Sequence, residues 1–183
     1  MFKKLSQAGI PNFYERFIEY WCKSQFVYVN FAGTNSSIWK IRSGVRQGGI
    51  LSPLFFNIYI NDMIIDLVKS GLGCKLGNFM NNVIAYADDI VILAPSLHCL
   101  QELIDMCSEK SKSLCLSFNA SKCFGMKFMY NLNPLINCRN LTINGKIIEF
   151  VDQLKYLGFQ LTHNLNNKPD IVNRRNKFYN VLI

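Results

Sequence analysis

The chain has 183 residues, half of them hydrophobic, with twenty Lys and Arg against twelve Asp and Glu and a formal net charge of +8. That length and composition suit one ordinary domain with a real core and exclude intrinsic disorder, and the basic excess favours an acidic polymer such as nucleic acid or, less often, an anionic membrane surface. No apolar run approaches the roughly eighteen residues of a membrane span, and the start MFKKLSQAGIPNFYERF lacks a signal-peptide pattern, so neither membrane insertion nor secretion is expected.

In chain order, residues 1–23 read as helical, broken at Gly9-Ile10-Pro11-Asn12 and resuming through Phe13, Phe17, Ile18 and Trp21. A hairpin follows: Phe26 to Phe31, a turn in Ala32-Gly33-Thr34-Asn35-Ser36-Ser37, then Ile38 to Arg42. Ser52-Pro53 reads as an N-cap followed by proline at the first helical position, opening a helix that runs to about Ser70 and stops at Gly71. Val83 to Ala94 reads as two short buried strands, and Leu97 to Leu114 as a helix. Lys122 to Met129 is expected to be a strand. Leu141-Thr142-Ile143 and Lys146-Ile147-Ile148 flank Asn144-Gly145, the strongest hairpin signal in the chain, and Leu154 to Leu161 reads as a last strand. This order specifies an α+β fold, a small antiparallel sheet backed by helices.

Seven cysteines (Cys22, Cys74, Cys99, Cys107, Cys115, Cys123, Cys138) form an odd set without a C-x-x-C pair. The pattern points to reduced thiols in an intracellular, reducing compartment and against a disulfide framework or a zinc knuckle. Four recur every eight residues from Cys99 to Cys123, but on a helix an eight-residue step drifts around the axis, so the four cannot surround one ion.

Tyr86-Ala87-Asp88-Asp89 sets two adjacent carboxylates inside the apolar run VIAYADDIVILA. Burying such a pair is costly and the two repel, so a compensating charge is expected. A divalent cation supplies it most directly, because hard oxygen ligands suit Mg²⁺. A plain hairpin turn is the competing explanation, since Asp favours turns. Upstream, Ser43-Gly44-Val45-Arg46-Gln47-Gly48-Gly49 packs three glycines, a fixed charge and an amide just before a helix N-terminus, a composition suited to a phosphorylated ligand or to a merely flexible loop. It matches neither a Walker A loop nor a G-x-G-x-x-G fingerprint.

Together these residues carry a resemblance. Gly44 to Phe55 (GVRQGGILSPLF), followed roughly thirty residues later by Tyr86-Ala87-Asp88-Asp89, resembles the palm of a reverse transcriptase, in the form closest to enzymes of non-LTR retrotransposons. Leu116 to Cys123 (LSFNASKC) resembles the family's motif D, and Leu154 to Gly158 (LKYLG) its primer-grip strand, in the family's order.

The resemblance implies a right-hand polymerase palm that copies an RNA template by extending a DNA primer with deoxynucleoside triphosphates. The implied cofactors are two Mg²⁺ ions, with Mn²⁺ as a substitute. Asp88 and Asp89 are the implied metal ligands and catalytic carboxylates, Asp88 ahead of Asp89, and a turn is needed to bring both to one site because adjacent strand residues face opposite sides. Arg46, Gln47 and Gly48 are assigned to the nucleotide pocket. Lys122 is assigned to the triphosphate, with an exposed surface lysine as the alternative, and Tyr156, Leu157 and Gly158 to the primer end. Residues 1–42 correspond to a fingers-to-palm connection, 43–162 to the palm core and 163–183 to the start of a thumb.

The family pattern also includes an upstream aspartate in a strand like F-x-D-x-x-K-A-F-D, and the chain opens at Met1-Phe2-Lys3-Lys4-Leu5 without it. Leu5 to Tyr20 resembles the helical stretch just after that strand, and Glu15, Glu19, Asp62 and Asp66 do not replace the residue. The chain by itself is therefore expected to catalyse weakly or not at all, and the alternative function is a catalytically inactive nucleic-acid-binding relic of such a polymerase.

Overall fold

The computed structural model describes residues 2–42, 44–128 and 140–181. Helices α1 (Phe2–Gln7) and α2 (Asn12–Lys23) lead into four two-residue strands, β1 (Phe26–Val27), β2 (Asn30–Phe31), β3 (Thr34–Asn35) and β4 (Trp39–Lys40). Helix α3 (Ser52–Lys69) precedes β5 (Cys74–Leu76), β6 (Phe79–Asn81), β7 (Val83–Tyr86), β8 (Asp89–Ile92) and helix α4 (Leu97–Ser113). A 3-10 turn at Ala120–Lys122 then introduces β9 (Phe124–Gly125), β10 (Thr142–Ile143), β11 (Lys146–Ile147), β12 (Glu149–Phe150), β13 (Gln153–Tyr156), β14 (Phe159–Thr162) and helix α5 (Lys168–Val181). Two compact units share these elements, one comprising Met1–Gly71 and Leu76–Ile92, the other Leu72–Lys75 and Leu93–Ile183.

The first unit is organised by α3. Ile60, Met63 and Leu67 recur at helical spacing and are buried, as is Phe55 a turn earlier, so one stripe of the helix faces inward. Leu5 of α1 joins this core. Lys4 ties the two helices together: its ammonium donates to the Tyr59 carbonyl at 2.5 Å, pairs with Asp62 at 3.0 Å and lies 5.4 Å from the centre of the Tyr59 ring. The expected break between α1 and α2 is present, with Gly9 at φ +80° where a side chain would be strained.

The second unit is built on α4, whose Leu103, Ile104 and Cys107 are buried along with Leu141, Ile143 and Ile148. Ser96 caps α4 by accepting from the Cys99 N–H at 3.2 Å. Gln101 fixes β10 with both ends of its amide, accepting from the Thr142 N–H at 2.8 Å and donating to the Thr142 carbonyl at 2.9 Å. Burial pushes the Cys107 thiol up to about 12, with Cys123 adding to the effect, whereas Cys115 is exposed, so the eight-residue cysteine spacing marks no shared face.

The expected mixture of helices and mostly antiparallel strands is found, but among the described residues the single small antiparallel sheet is not. Strands pair two by two among the described residues instead of forming one sheet, and the β9–β12 pair is parallel. Most ladders hold only two residue pairs, too short to bury a face, and Ile84 and Tyr86 on β7 remain exposed. The strand expected over Lys122 to Met129 shrinks to Phe124–Gly125: at its start Asn119 closes a 3-10 turn, its side chain accepting from the Ser121 N–H at 3.1 Å and its carbonyl from the Lys122 N–H at 2.9 Å, and β12 pairs with β9 only through Glu149 and Phe150. Met129 lies outside the described residues, as do Ser43 and Cys138.

The single last strand is instead the β13–β14 hairpin, in which Tyr156 pairs with Phe159 and Leu157-Gly158 form the turn, at φ +46° and +84°. Ser52 does not cap α3. Leu51 holds the cap position, and Ser52 and Pro53 are the first two helical residues. Finally, α2 buries none of its residues, and its Phe13 and Phe17 are exposed.

Candidate active site

β7 and β8 form an antiparallel hairpin with Val83 opposite Ile92 and Tyr86 opposite Asp89, leaving Ala87 and Asp88 as a two-residue loop. Ala87 supplies the reversal at φ +50°. The turn needed to place both carboxylates together is therefore present, with Asp88 in the loop and Asp89 as the first residue of β8. At its base the hairpin is fastened to α3, which packs on β7 and whose Leu67 carbonyl accepts from the Asn82 side-chain amide.

The burial expected for the carboxylates is not observed. Asp88 and Asp89 are both exposed, because the apolar flanks of this strand pair are only partly covered. Desolvation therefore does not force a counter-charge on them. What marks the pair is that neither side chain has a hydrogen-bond or ion-pair partner among the described residues. No cluster of three or more His, Cys, Asp or Glu suited to a metal stands among the described residues. The donor set still fits Mg²⁺, which is commonly held by one or two carboxylates together with substrate phosphates.

The glycine-rich stretch is a loop bent by Gly44 at φ +93° and Gly48 at φ +76°. Its fastening is local: the Arg46 carbonyl accepts from the Gly49 N–H at 3.1 Å and from the Ser52 hydroxyl at 2.5 Å, and the Gly49 carbonyl accepts from the Ser52 N–H at 3.1 Å. Arg46, Gln47 and Gly48 are exposed. This loop and the Asp88-Asp89 hairpin belong to one compact unit, both attached to α3.

The other predicted residues fall in the second unit. Lys122 ends the 3-10 turn, exposed and with no side-chain partner among the described residues. Tyr156 closes β13 and is half-buried, while Leu157 and Gly158 form the exposed hairpin tip.

The sequence reading missed how this second hairpin is held. Asp170 of α5 accepts from the Gln160 N–H at 2.8 Å and from Arg174 Nε at 2.6 Å, and the Arg174 guanidinium lies 4.3 Å from the centre of the Phe159 ring. The hydrogen bond from the Gln160 backbone and the one from Arg174 hold the Asp170 carboxyl below its ordinary value. Only the i, i+4 spacing of Asp170 and Arg174 hinted at this in sequence.

The family model for reverse transcriptase, the RNA-dependent DNA polymerase, matches residues 2–161. The chain belongs to the reverse transcriptase family. It is 30% identical over 174 residues to the RNA-directed DNA polymerase from mobile element jockey of Drosophila funebris, covering 92% of this chain and 18% of that protein. It is 28% identical over 168 residues to the Pol polyprotein of the type-2 retrotransposable element R2DM of Drosophila melanogaster, covering 88% of this chain and 16% of that one. Against the Pol polyprotein of the type-1 element R1 of Bradysia coprophila the identity is 29% over 147 residues, covering 75% of this chain and 13% of that one. The chain thus spans less than a fifth of the length of these relatives. The non-LTR retrotransposon affiliation expected from the motifs holds, and the family is one that uses divalent metal ions.

Proposed function

We propose that this reverse transcriptase chain is the palm portion of an RNA-directed DNA polymerase, with Asp88 and Asp89 as its metal-binding carboxylates. The observation that carries the reading is the pair itself: two adjacent, exposed carboxylates without partners among the described residues at a hairpin tip, in a chain of this family. Mg²⁺ bound there supplies activation of the primer 3′ hydroxyl and stabilises charge on the leaving pyrophosphate.

The chain's own residues do the rest. Arg46 gives the incoming deoxynucleoside triphosphate a fixed positive charge, Gln47 offers it a donor and an acceptor, and Gly48 lets backbone approach closely. By the family resemblance Lys122 is assigned to the triphosphate, as a proton donor to the departing pyrophosphate. Tyr156, Leu157 and Gly158 support the primer end. Residues 1–42 connect fingers to palm, 43–162 form the palm core and 163–183 begin the thumb, and the template is RNA.

Calorimetric titration with Mn²⁺ tests the reading. Weak binding is expected for the unaltered chain and none for Asp88→Asn combined with Asp89→Asn. Identical titrations for the two proteins, with primer-template binding retained in both, would remove the metal site and leave the non-catalytic nucleic-acid-binding role.

A further inference from the structure

The Arg46-Gln47-Gly48 loop presents its side chains to solvent, and neither the Arg46 nor the Gln47 side chain has a partner among the described residues. Their placement therefore depends on the backbone that carries them, with no side-chain contact among the described residues to help. With Gly44 and Gly48 both at positive φ, that backbone is intrinsically soft. Two bonds converge on one atom to stiffen it, since the Arg46 carbonyl accepts from the Gly49 N–H and from the Ser52 hydroxyl.

The Ser52 hydroxyl is at the first position of α3, where a serine one residue earlier would cap the helix. Here it is turned away from that task and reaches six residues back along the chain, at 2.5 Å. An independent steric observation supports the closeness of the latch. A Cβ on Gly49 would stand 2.6 Å from Ser52 Oγ and 3.1 Å from the Arg46 carbonyl oxygen, so any side chain at Gly49 would wedge the two apart.

We infer that Ser52 is a positioning residue whose hydroxyl, in a space kept open by Gly49, holds Arg46, Gln47 and Gly48 in the geometry that receives a deoxynucleoside triphosphate. The inference rests on the reading that this loop is the nucleotide pocket. The role of Ser52 runs through the Arg46 carbonyl, which its hydroxyl holds. Because no side chain caps α3 at Leu51 and the Ser52 hydroxyl bonds the loop carbonyl instead, removing that hydroxyl takes no cap from the helix and frees only the loop.

The test measures dTTP affinity of the chain on a poly(rA)–oligo(dT) duplex with Mn²⁺, together with duplex affinity and thermal midpoint. Ser52→Ala is expected to weaken dTTP binding about tenfold, the worth of one well-made hydrogen bond, with duplex affinity and midpoint unchanged. Ser52→Thr, which keeps the hydroxyl, restores the affinity, and Gly49→Ala repeats the loss. Arg46→Ala with Gln47→Ala separates the two levels of the argument. If that pair weakens dTTP binding and Ser52→Ala does not, or if Ser52→Thr fails to rescue, the positioning role is overturned while the pocket stands. If the pair has no effect, or the unaltered chain binds no dTTP, the pocket assignment falls and the inference with it.

Discussion

Two hairpins in this chain share a ladder of four residue pairs and a two-residue loop whose first residue is a non-glycine at positive φ: Ala87 at +50° between β7 and β8, and Leu157 at +46° between β13 and β14. Their surroundings differ. At the β13–β14 hairpin the nearby charges are spent internally, with Asp170 bonded to the Gln160 backbone and to Arg174, and Arg174 stacked on Phe159. At the β7–β8 hairpin the base is fastened, through Asn82 and α3, and the tip carries two carboxylates that no described side chain engages. Charge consumed in the fold stabilises it and is lost to ligands. Charge left at a tip contributes little to the fold and stays available to a cation.

Substitution at the two sites should break this comparison most sharply. Asp88→Asn with Asp89→Asn should abolish Mn²⁺ binding yet leave the thermal midpoint unchanged or slightly raised, since two adjacent like charges are removed. Asp170→Asn should do the reverse, lowering the midpoint by several degrees while Mn²⁺ binding persists. Calorimetry and a circular-dichroism melt on both proteins would check it. A large loss of stability at the first site would show that the carboxylates serve the fold.

The same contrast should appear against pH. The Asp170 carboxyl is held below its ordinary value in the folded chain, so its contribution is fully present above the unfolded value, around 4, and fades as pH falls through the lower folded value. The difference in urea midpoint between the unaltered chain and Asp170→Asn should therefore be constant at neutral pH and shrink as the solution is acidified below the unfolded value. A difference that survived strong acid would mean that the side chain's shape, and not its charge, supports β14.

Nucleic-acid binding should distinguish neighbouring residues of α5. Lys168, Arg174, Arg175 and Lys177 are the basic residues of this helix, but Arg174 is already engaged by Asp170 and Phe159. Arg175→Ala and Lys177→Ala should each flatten the salt dependence of primer-template affinity, by about 0.9 in the log–log slope for each phosphate no longer neutralised. Arg174→Ala should leave the slope nearly intact and act on stability instead. Fluorescence anisotropy across a salt series reads the slope, and equal effects at all three positions would show that Arg174 trades its internal partners for phosphate.

Helices were legible because their signals are local. Gly9 and Pro11 punctuate the first two, Ser96 caps α4, and Ile60, Met63 and Leu67 keep helical period. The Asn144-Gly145 hairpin was legible for the same reason, both residues lying at positive φ as that dipeptide predicts. The β13–β14 turn escaped because Leu157 occupies a conformation usually given to Gly, Asn or Asp. At the candidate site the carboxylate positions were legible and their exposure was not: an apolar run argues for a buried strand, but what covers a strand is a tertiary property, and Ile84 and Tyr86 stay exposed. Ser52 was misread for a related reason. A hydroxyl beside proline suggests a cap, and nothing in the sequence announces a bond to a carbonyl six residues back.

The smallest effect concerns the loop residues themselves. A side chain in the left-handed region costs about 1–2 kcal/mol, and Asn bears that cost best after glycine. Leu157 also exposes apolar surface at the hairpin tip, so little packing is lost on replacing it. Leu157→Asn should stabilise the chain by about 0.5–1 kcal/mol, with Gly158 completing a loop in which both residues are left-handed. Ala87→Asn should gain less, because only the first of its two loop residues is left-handed and the preference is correspondingly weaker. Urea denaturation of the two variants measures both values. If Ala87→Asn proved the more stabilising, the Asp88-Asp89 hairpin would be the more strained of the two, and strain, alongside its exposed charge, would have to enter the account of that site.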